Sequence, residues 1–304
     1  MEFRLLGPLQ AAALGEPVPL GGPKQRALLA LLLLNANQVV SRERAIDCLW
    51  GDRPPASAVN ALQVYVHELR KLLGSGRVVT QGAGYKLRAD ASELDVLRFE
   101  QLLDEGQEAI AAADLPRARD RLAEALGLWH GEPLADLPFG SVPEADRRRL
   151  AEQRLSALEL RIDVELELAS DADLVPELEA LVREHPFRER FRGQLMLVLY
   201  RGGRQAEALE AYRAARHVLD EELGVEPGPQ LRELERAILR QDPSLARSPA
   251  ARPRATRLPR PRTALIGRRR EVTCGRNGSA WRCSRARCSN GVRSGRRATS
   301  SARA

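Results

Sequence analysis

A chain of 304 residues, 43% hydrophobic but only 4% aromatic, has the length of about two domains and apolar content for a core built mostly of Leu, Val and Ala. The net charge of +7 is unevenly spread: residues 1–90 carry 11 basic and 7 acidic side chains, residues 91–245 carry 20 and 33, and residues 246–304 carry 17 and one. The first stretch can face phosphate, whereas the acidic middle is unsuited to lie on it and is better matched to protein.

Met1-Glu2-Phe3-Arg4 leads into a strand-like run, not an apolar leader. The longest apolar run, Ala27–Leu34, is far short of the roughly 20 residues that span a bilayer. A cytoplasmic protein with no membrane partner is expected. Cys48 stands apart from Cys274, Cys283 and Cys288, and no Cys-x-x-Cys pair occurs, so no zinc site is expected; nor is a cofactor expected.

Residues 2–20 hold short Phe-, Leu- and Val-containing runs broken by Gly7-Pro8 and Gly15-Glu16-Pro17, which predicts three short antiparallel strands. Pro23 suits the first turn of a helix over Lys24–Asn35, whose Leu28, Leu29, Leu31, Leu32 and Leu33 supply most of the local core. Ser41 can cap a second helix reaching about Trp50, with Glu43 in its first turn. Gly51-Asp52-Arg53-Pro54-Pro55 is a turn, and Ser57 a candidate cap for the next helix.

That third helix separates into two faces at about 100° per residue. Ala58, Val59, Leu62, Tyr65, Val66, Leu69, Leu72 and Leu73 fall on one side and want a core. Asn60, Gln63, Val64, His67, Arg70 and Lys71 fall on the other. Amides and cations at helical spacing donate to base edges and phosphates, and a valine can touch a thymine methyl; the plainer reading is a solvated face. In Val78–Leu87 two β-prone runs flank Gly82-Ala83-Gly84, a tight-hairpin pattern that carries Gln81, Tyr85 and Lys86 near its tip. Three helices closed by such a hairpin make a winged helix, in which the last helix enters the major groove.

The pieces Leu69-Arg70-Lys71-Leu72-Leu73 and Gly82-Ala83-Gly84-Tyr85-Lys86-Leu87 resemble signatures of the OmpR-type winged helix. The resemblance implies groove reading by Gln63, Val64, His67 and Arg70, a phosphate role for Lys71, and wing contacts from Gln81 and Lys86; Asn60 and Tyr85 complete the expected DNA-binding set. Glu68 stands where relatives often have a cation, so modest phosphate affinity is expected of one subunit.

Residues 91–245 read as nearly continuous helix, over about 95–112, 116–128, 144–169, 174–185, 188–201, 204–222 and 228–240. Helix pairs of this size repeat at roughly 34 residues in tetratricopeptide arrays. Arg188–Glu222 fits best, with Ala206, Ala208, Ala211 and Ala214 allowing close helix approach. His130-Gly131-Glu132-Pro133-Leu134-Ala135-Asp136, His185-Pro186-Phe187-Arg188-Glu189-Arg190 and Leu223-Gly224-Val225-Glu226-Pro227-Gly228 resemble the bacterial transcriptional activator domain. Together with the winged helix, residues 1 to about 245 resemble the antibiotic regulatory protein (SARP, AfsR-like) activators. The resemblance implies activation of a secondary-metabolite gene cluster, binding of promoter direct repeats by side-by-side subunits as a homodimer on duplex DNA, and recruitment of RNA polymerase holoenzyme.

The expected architecture is therefore mainly α: a winged helix over 1–90 with a short N-terminal β-sheet and a hairpin wing, an all-α tetratricopeptide-like domain over 91–245, and a disordered Arg-rich tail over 246–304. Within the tail, Leu258–Glu271 resembles the lead-in to the nucleotide-binding domain of larger family members. That domain needs a Gly-rich loop ending Gly-Lys-Ser/Thr, and none of the three lysines (Lys24, Lys71, Lys86) follows a glycine. The tail reads as a frame-shifted or truncated remnant of that lead-in, or else as a basic tail adding nonspecific DNA affinity. The alternative function is a helical protein-binding scaffold whose winged helix has lost specific readout. No enzyme is expected: His67, His130, His185 and His217 are scattered, and no catalytic constellation accompanies them.

Overall fold

The computed structural model describes residues 1–138, 140, 142–168 and 174–246; the tail expectations and residues 169–173 lie outside them. The chain opens with β1 (Glu2–Arg4), β2 (Gln10–Ala13) and β3 (Glu16–Pro17), an antiparallel sheet in that order. Helix α1 (Pro23–Leu34) starts with Pro23 in its first turn, and Leu28, Leu29, Leu31, Leu32 and Leu33 are all at most 1% exposed. A helix that is apolar nearly all round must be central, and α1 is.

Strand β4 (Val39–Ser41) has no counterpart in the sequence reading. Three residues are too few to show a period of two, and the strand exists because β6 hydrogen-bonds to it. Helix α2 (Arg42–Trp50) is capped by Ser41, whose hydroxyl accepts the Arg44 amide at 3.1 Å. Hydrogen bonds from the backbone and Ser41 lower the Glu43 pKa at this terminus.

Helix α3 (Ala58–Leu73) begins at Ser57, which makes no side-chain cap. Its first turn is instead held by backbone, with the Ala58 amide donating to Pro55 O at 2.9 Å. Strands β5 (Val78–Gln81) and β6 (Gly84–Leu87) form the wing, and the sheet order is β4-β6-β5.

The helices α4 (Asp95–Ala111), α5 (Leu115–Gly127), α6 (Glu144–Glu167), α7 (Leu174–Glu184), α8 (Glu189–Arg201), α9 (Gln205–Leu223) and α10 (Pro229–Leu239) follow, then a 3₁₀ turn at Pro243–Leu245. Each lies within about two residues of its expected bounds. In the α8–α9 pair the expected small residues are partly displaced. Ala208 and Ala215 are fully buried, Ala211 is half-buried, and Ala206 and Ala214 face solvent.

No gap in packing marks residue 90. Phe3 bridges Leu94 in parallel, and the Phe3 amide donates to Glu93 O at 2.7 Å. The half-buried Asp95 carboxylate accepts the amides of Leu5 and Leu6 at 2.8 and 2.9 Å, while loss of solvent around it raises its pKa. One core runs from Phe3 through the α1 leucines to Phe99, Leu102, Trp129, Leu150 and Ala157. A second gathers Ile162, Leu178, Phe191, Met196, Tyr212 and Ile238. Helix α6 contributes to both. No described helix is long and apolar enough to cross a membrane.

Candidate nucleic-acid interface

The burial of α3 follows its sequence pattern closely. Ala58, Leu62, Val66, Leu69 and Leu73 point inward, while Tyr65 and Leu72 lie at the margin. Tyr65 stacks on Trp50 of α2 at 6.3 Å, and Lys24 Nζ lies 5.1 Å from the Trp50 ring centre. Asn60, Gln63, Val64, His67 and Lys71 are exposed, Val64 at 57%. Sixteen residues of helix reach about 24 Å, enough to lay this row along a groove. Arg70 and Lys71 sit in the last turn, where the helix dipole favours cations. Glu68 is exposed too, and places one repulsive charge toward any phosphate.

Val59 departs from the expected pattern: it is 48% exposed and extends the outward face beside Asn60 and Gln63. At 100° steps it sits at the edge of the apolar arc. Whether an edge residue is covered depends on the neighbouring element, which the helix pattern alone does not contain.

Arg70 is half-buried and engaged. Its Nε donates to Val78 O at 2.8 Å and a terminal nitrogen to Thr80 Oγ1 at 2.7 Å. It ties the helix to the wing, a role the sequence reading missed because Thr80 is ten residues away on another element.

Tyr85, expected near the tip as a DNA contact, is 4% exposed. It is a core residue with the Arg42 guanidinium 6.0 Å from its ring centre. Alternation along β6 explains this: Tyr85 and Leu87 share the face turned to the core, so Lys86 takes the other. Lys86 is half-buried and pairs in register with Val39 and Val79. It lies beside Arg77 and Arg88 on the side of the wing away from Thr80 and Arg70. Gln81 is exposed at the strand end.

The wing's glycines have separate causes. Gly82 has φ +57°, and Ala83 after it is not in the left-handed region, as in hairpin turns with glycine first. Gly84 has no such φ, but a Cβ there would lie 2.2 Å from Val40 O. β4 passes too close for a side chain.

The activator-like motifs also resolve into contacts. The His130 amide donates to Leu6 O at 2.7 Å, the Leu134 amide to Gly7 O at 2.6 Å, and Asp136 accepts the Leu9 amide at 2.6 Å while pairing with Arg26. This segment clips the helical part onto the N-terminal strands. Arg188 bonds Glu159 and Glu152, each at 2.6 Å, Arg190 pairs with Asp163, and Arg192 donates to Pro186 O at 2.9 Å. Both motifs therefore serve architecture. Cys48 is half-buried, and burial pushes its thiol up to about 11, far from a reactive thiolate.

A winged helix whose wing is locked to its third helix, clipped to a helical bundle by these motifs, is a specific combination. The family profile described as "Transcriptional regulatory protein, C terminal" matches residues 15–87, and "Bacterial transcriptional activator domain" matches residues 94–239. Regulatory protein DnrI of Streptomyces peucetius is 39% identical over 263 residues, covering 82% of this chain and 95% of DnrI. The chain belongs to the SARP family of transcriptional activators. Regulatory protein AfsR of Streptomyces coelicolor is 46% identical over 252 residues, or 83% of this chain, which spans 25% of AfsR. Among solved structures, Mycobacterium tuberculosis EmbR in complex with a low affinity phosphopeptide shares the fold. Its TM-score is 0.75 at 38% identity, covering 79% of this chain and 65% of EmbR. These relatives are named as regulatory proteins.

Proposed function

We propose that this SARP protein activates genes of a secondary-metabolite cluster. It binds direct repeats near promoters with side-by-side subunits, and its acidic helical domain engages RNA polymerase holoenzyme. The observation that carries this reading is the row Asn60, Gln63, Val64, His67 and Lys71, exposed on α3 with no covering element among the described residues. Asn60 and Gln63 supply bidentate amides for adenine edges, Val64 an apolar contact for a thymine methyl, and His67 a ring donor or acceptor. Lys71 supplies phosphate charge, and Gln81 reaches from the wing tip. Arg70 positions the wing, Tyr85 supports it from inside, and Lys86 meets only phosphate that wraps behind the wing. The excess of acid over base in residues 91–245 keeps that part off the duplex and open to a protein partner.

A mobility-shift titration on promoter repeats and on random duplexes, at two salt concentrations, tests this. Specific repeats should bind at least 10³-fold more tightly than random duplex, and Gln63→Ala should narrow that ratio. Equal affinity for both duplexes would instead mark a protein-binding scaffold without sequence readout.

A further inference from the structure

Val59, the second residue of α3, is 48% exposed, and Val64 is 57% exposed. A lone exposed valine needs no cause. Two on one helix face call for one, because a β-branched side chain forms helix less readily than alanine and gains nothing from water. Val64 follows Val59 by five positions, which places the two about 7.5 Å apart along the helix axis and about 140° apart around it. Between them in angle lie Gln63, His67 and Asn60, all exposed. The valines therefore border the polar row, one on each flank.

Val59 shares its flank with Arg70, three turns on and only about 20° away around the axis. Arg70 joins that flank to the wing at the C-terminal end of α3, through Val78 O and Thr80 Oγ1; the first turn, where Val59 stands, is left open to solvent. That turn holds no acid, although an acid there would favour the helix dipole. The same charge would repel phosphate. In helix-turn-helix proteins the N-terminal residues of the groove-entering helix are the ones that contact base edges. The apolar group that a base presents in the major groove is the thymine C5-methyl. The two flanks of a helix lying in that groove face its two walls, each built by one strand, and about 7.5 Å of helix spans about two base-pair steps.

We infer that Val59 is a further specificity-determining residue: it packs against a thymine methyl on the strand opposite the one that Val64 meets, about two base pairs along. This rests on α3 being the helix that enters the groove. The full-length protein is used to enrich its preferred duplex from a random library. Each thymine of that duplex is then replaced singly by deoxyuridine, which removes the methyl and keeps the base pair, and affinity is read by mobility shift. One thymine on each strand should lose about fourfold in affinity with its methyl, the worth of one buried methyl-sized contact. Val59→Ala should abolish that sensitivity at one of the two thymines alone, Val64→Ala at the other alone, and Val59→Ile should retain it. Alanine at an exposed helical position favours the helix, so the circular-dichroism spectrum should not change. A merely structural role for Val59 would weaken every duplex alike. If no sequence is enriched, the readout by α3 falls and this inference with it. If a duplex is enriched but its deoxyuridine profile is the same with Val59→Ala, or its sensitive thymines lie on one strand only, the role of Val59 falls and the readout by the polar row stands.

Discussion

A guanidinium can read a guanine edge or tie one element to another, and Arg70 does the second through Val78 O and Thr80 Oγ1. Arg70→Ala should therefore loosen the wing and weaken specific and random duplexes alike, by about 1–3 kcal/mol for a charged donor with two partners. Lys71→Ala, with no such tether, should lower the salt slope by about one phosphate contact. Mobility-shift isotherms at several salt concentrations separate the two; loss confined to one base position for Arg70→Ala would restore a reading role. Glu93 gives a pH signal. Its hydrogen bonds from Arg77 hold the carboxyl at about 2, below its ordinary 4.5. A lowered carboxyl stabilises the fold above about 4.5 and loses that contribution as pH falls through about 2. Glu93→Gln should cost about 1 kcal/mol at neutral pH, as a partly exposed ion pair does. Denaturant midpoints of the two proteins should converge as the pH is lowered through that window.

At the scale of elements, the wing depends on a close approach. Gly84→Ala would set a methyl 2.2 Å from Val40 O, so β4 and β6 must part. We expect destabilisation of about 2–4 kcal/mol by chemical denaturation, and faster amide exchange at Val40 and Tyr85. Unchanged exchange there would show that β4 is dispensable. Helix α6 is a different case. Leu150 and Ala157 enter one core, Ile162 and Leu166 the other. An element buried on different sides along its length has no single apolar stripe, so its polar appearance conceals its role as the spine between the two cores.

At the scale of the molecule, the winged-helix part and the helical part share one core. Asp95 serves both, and without its side chain the Leu5 and Leu6 amides would lose their acceptor. Asp95→Ala should cost about 1–3 kcal/mol, and a single unfolding transition should persist if the two parts melt together. A fragment ending at residue 90 would strip Phe3 and Leu94 of each other. It should bind a hydrophobic dye and unfold at lower denaturant than the full chain; equal stability would show that the seam contributes nothing.

Local chemistry alone determined much of this. The leucine run of α1, the Ser41 cap, the inward stripe of α3, the hairpin at Gly82-Ala83 and the turns between the later helices are each written within a few neighbouring residues, because dihedral preference and helical or strand period act at that range. The family resemblance was legible for the same reason, since its motifs are short and contiguous. Tertiary structure alone decided that Tyr85 is core, that Arg70 grips the wing, that Val59 is exposed, that three residues at Val39 become a strand, and that the activator motifs are clasps. Each of those outcomes depends on a partner far away in the chain, and which partner comes near is settled by packing, not by the pattern of any one segment.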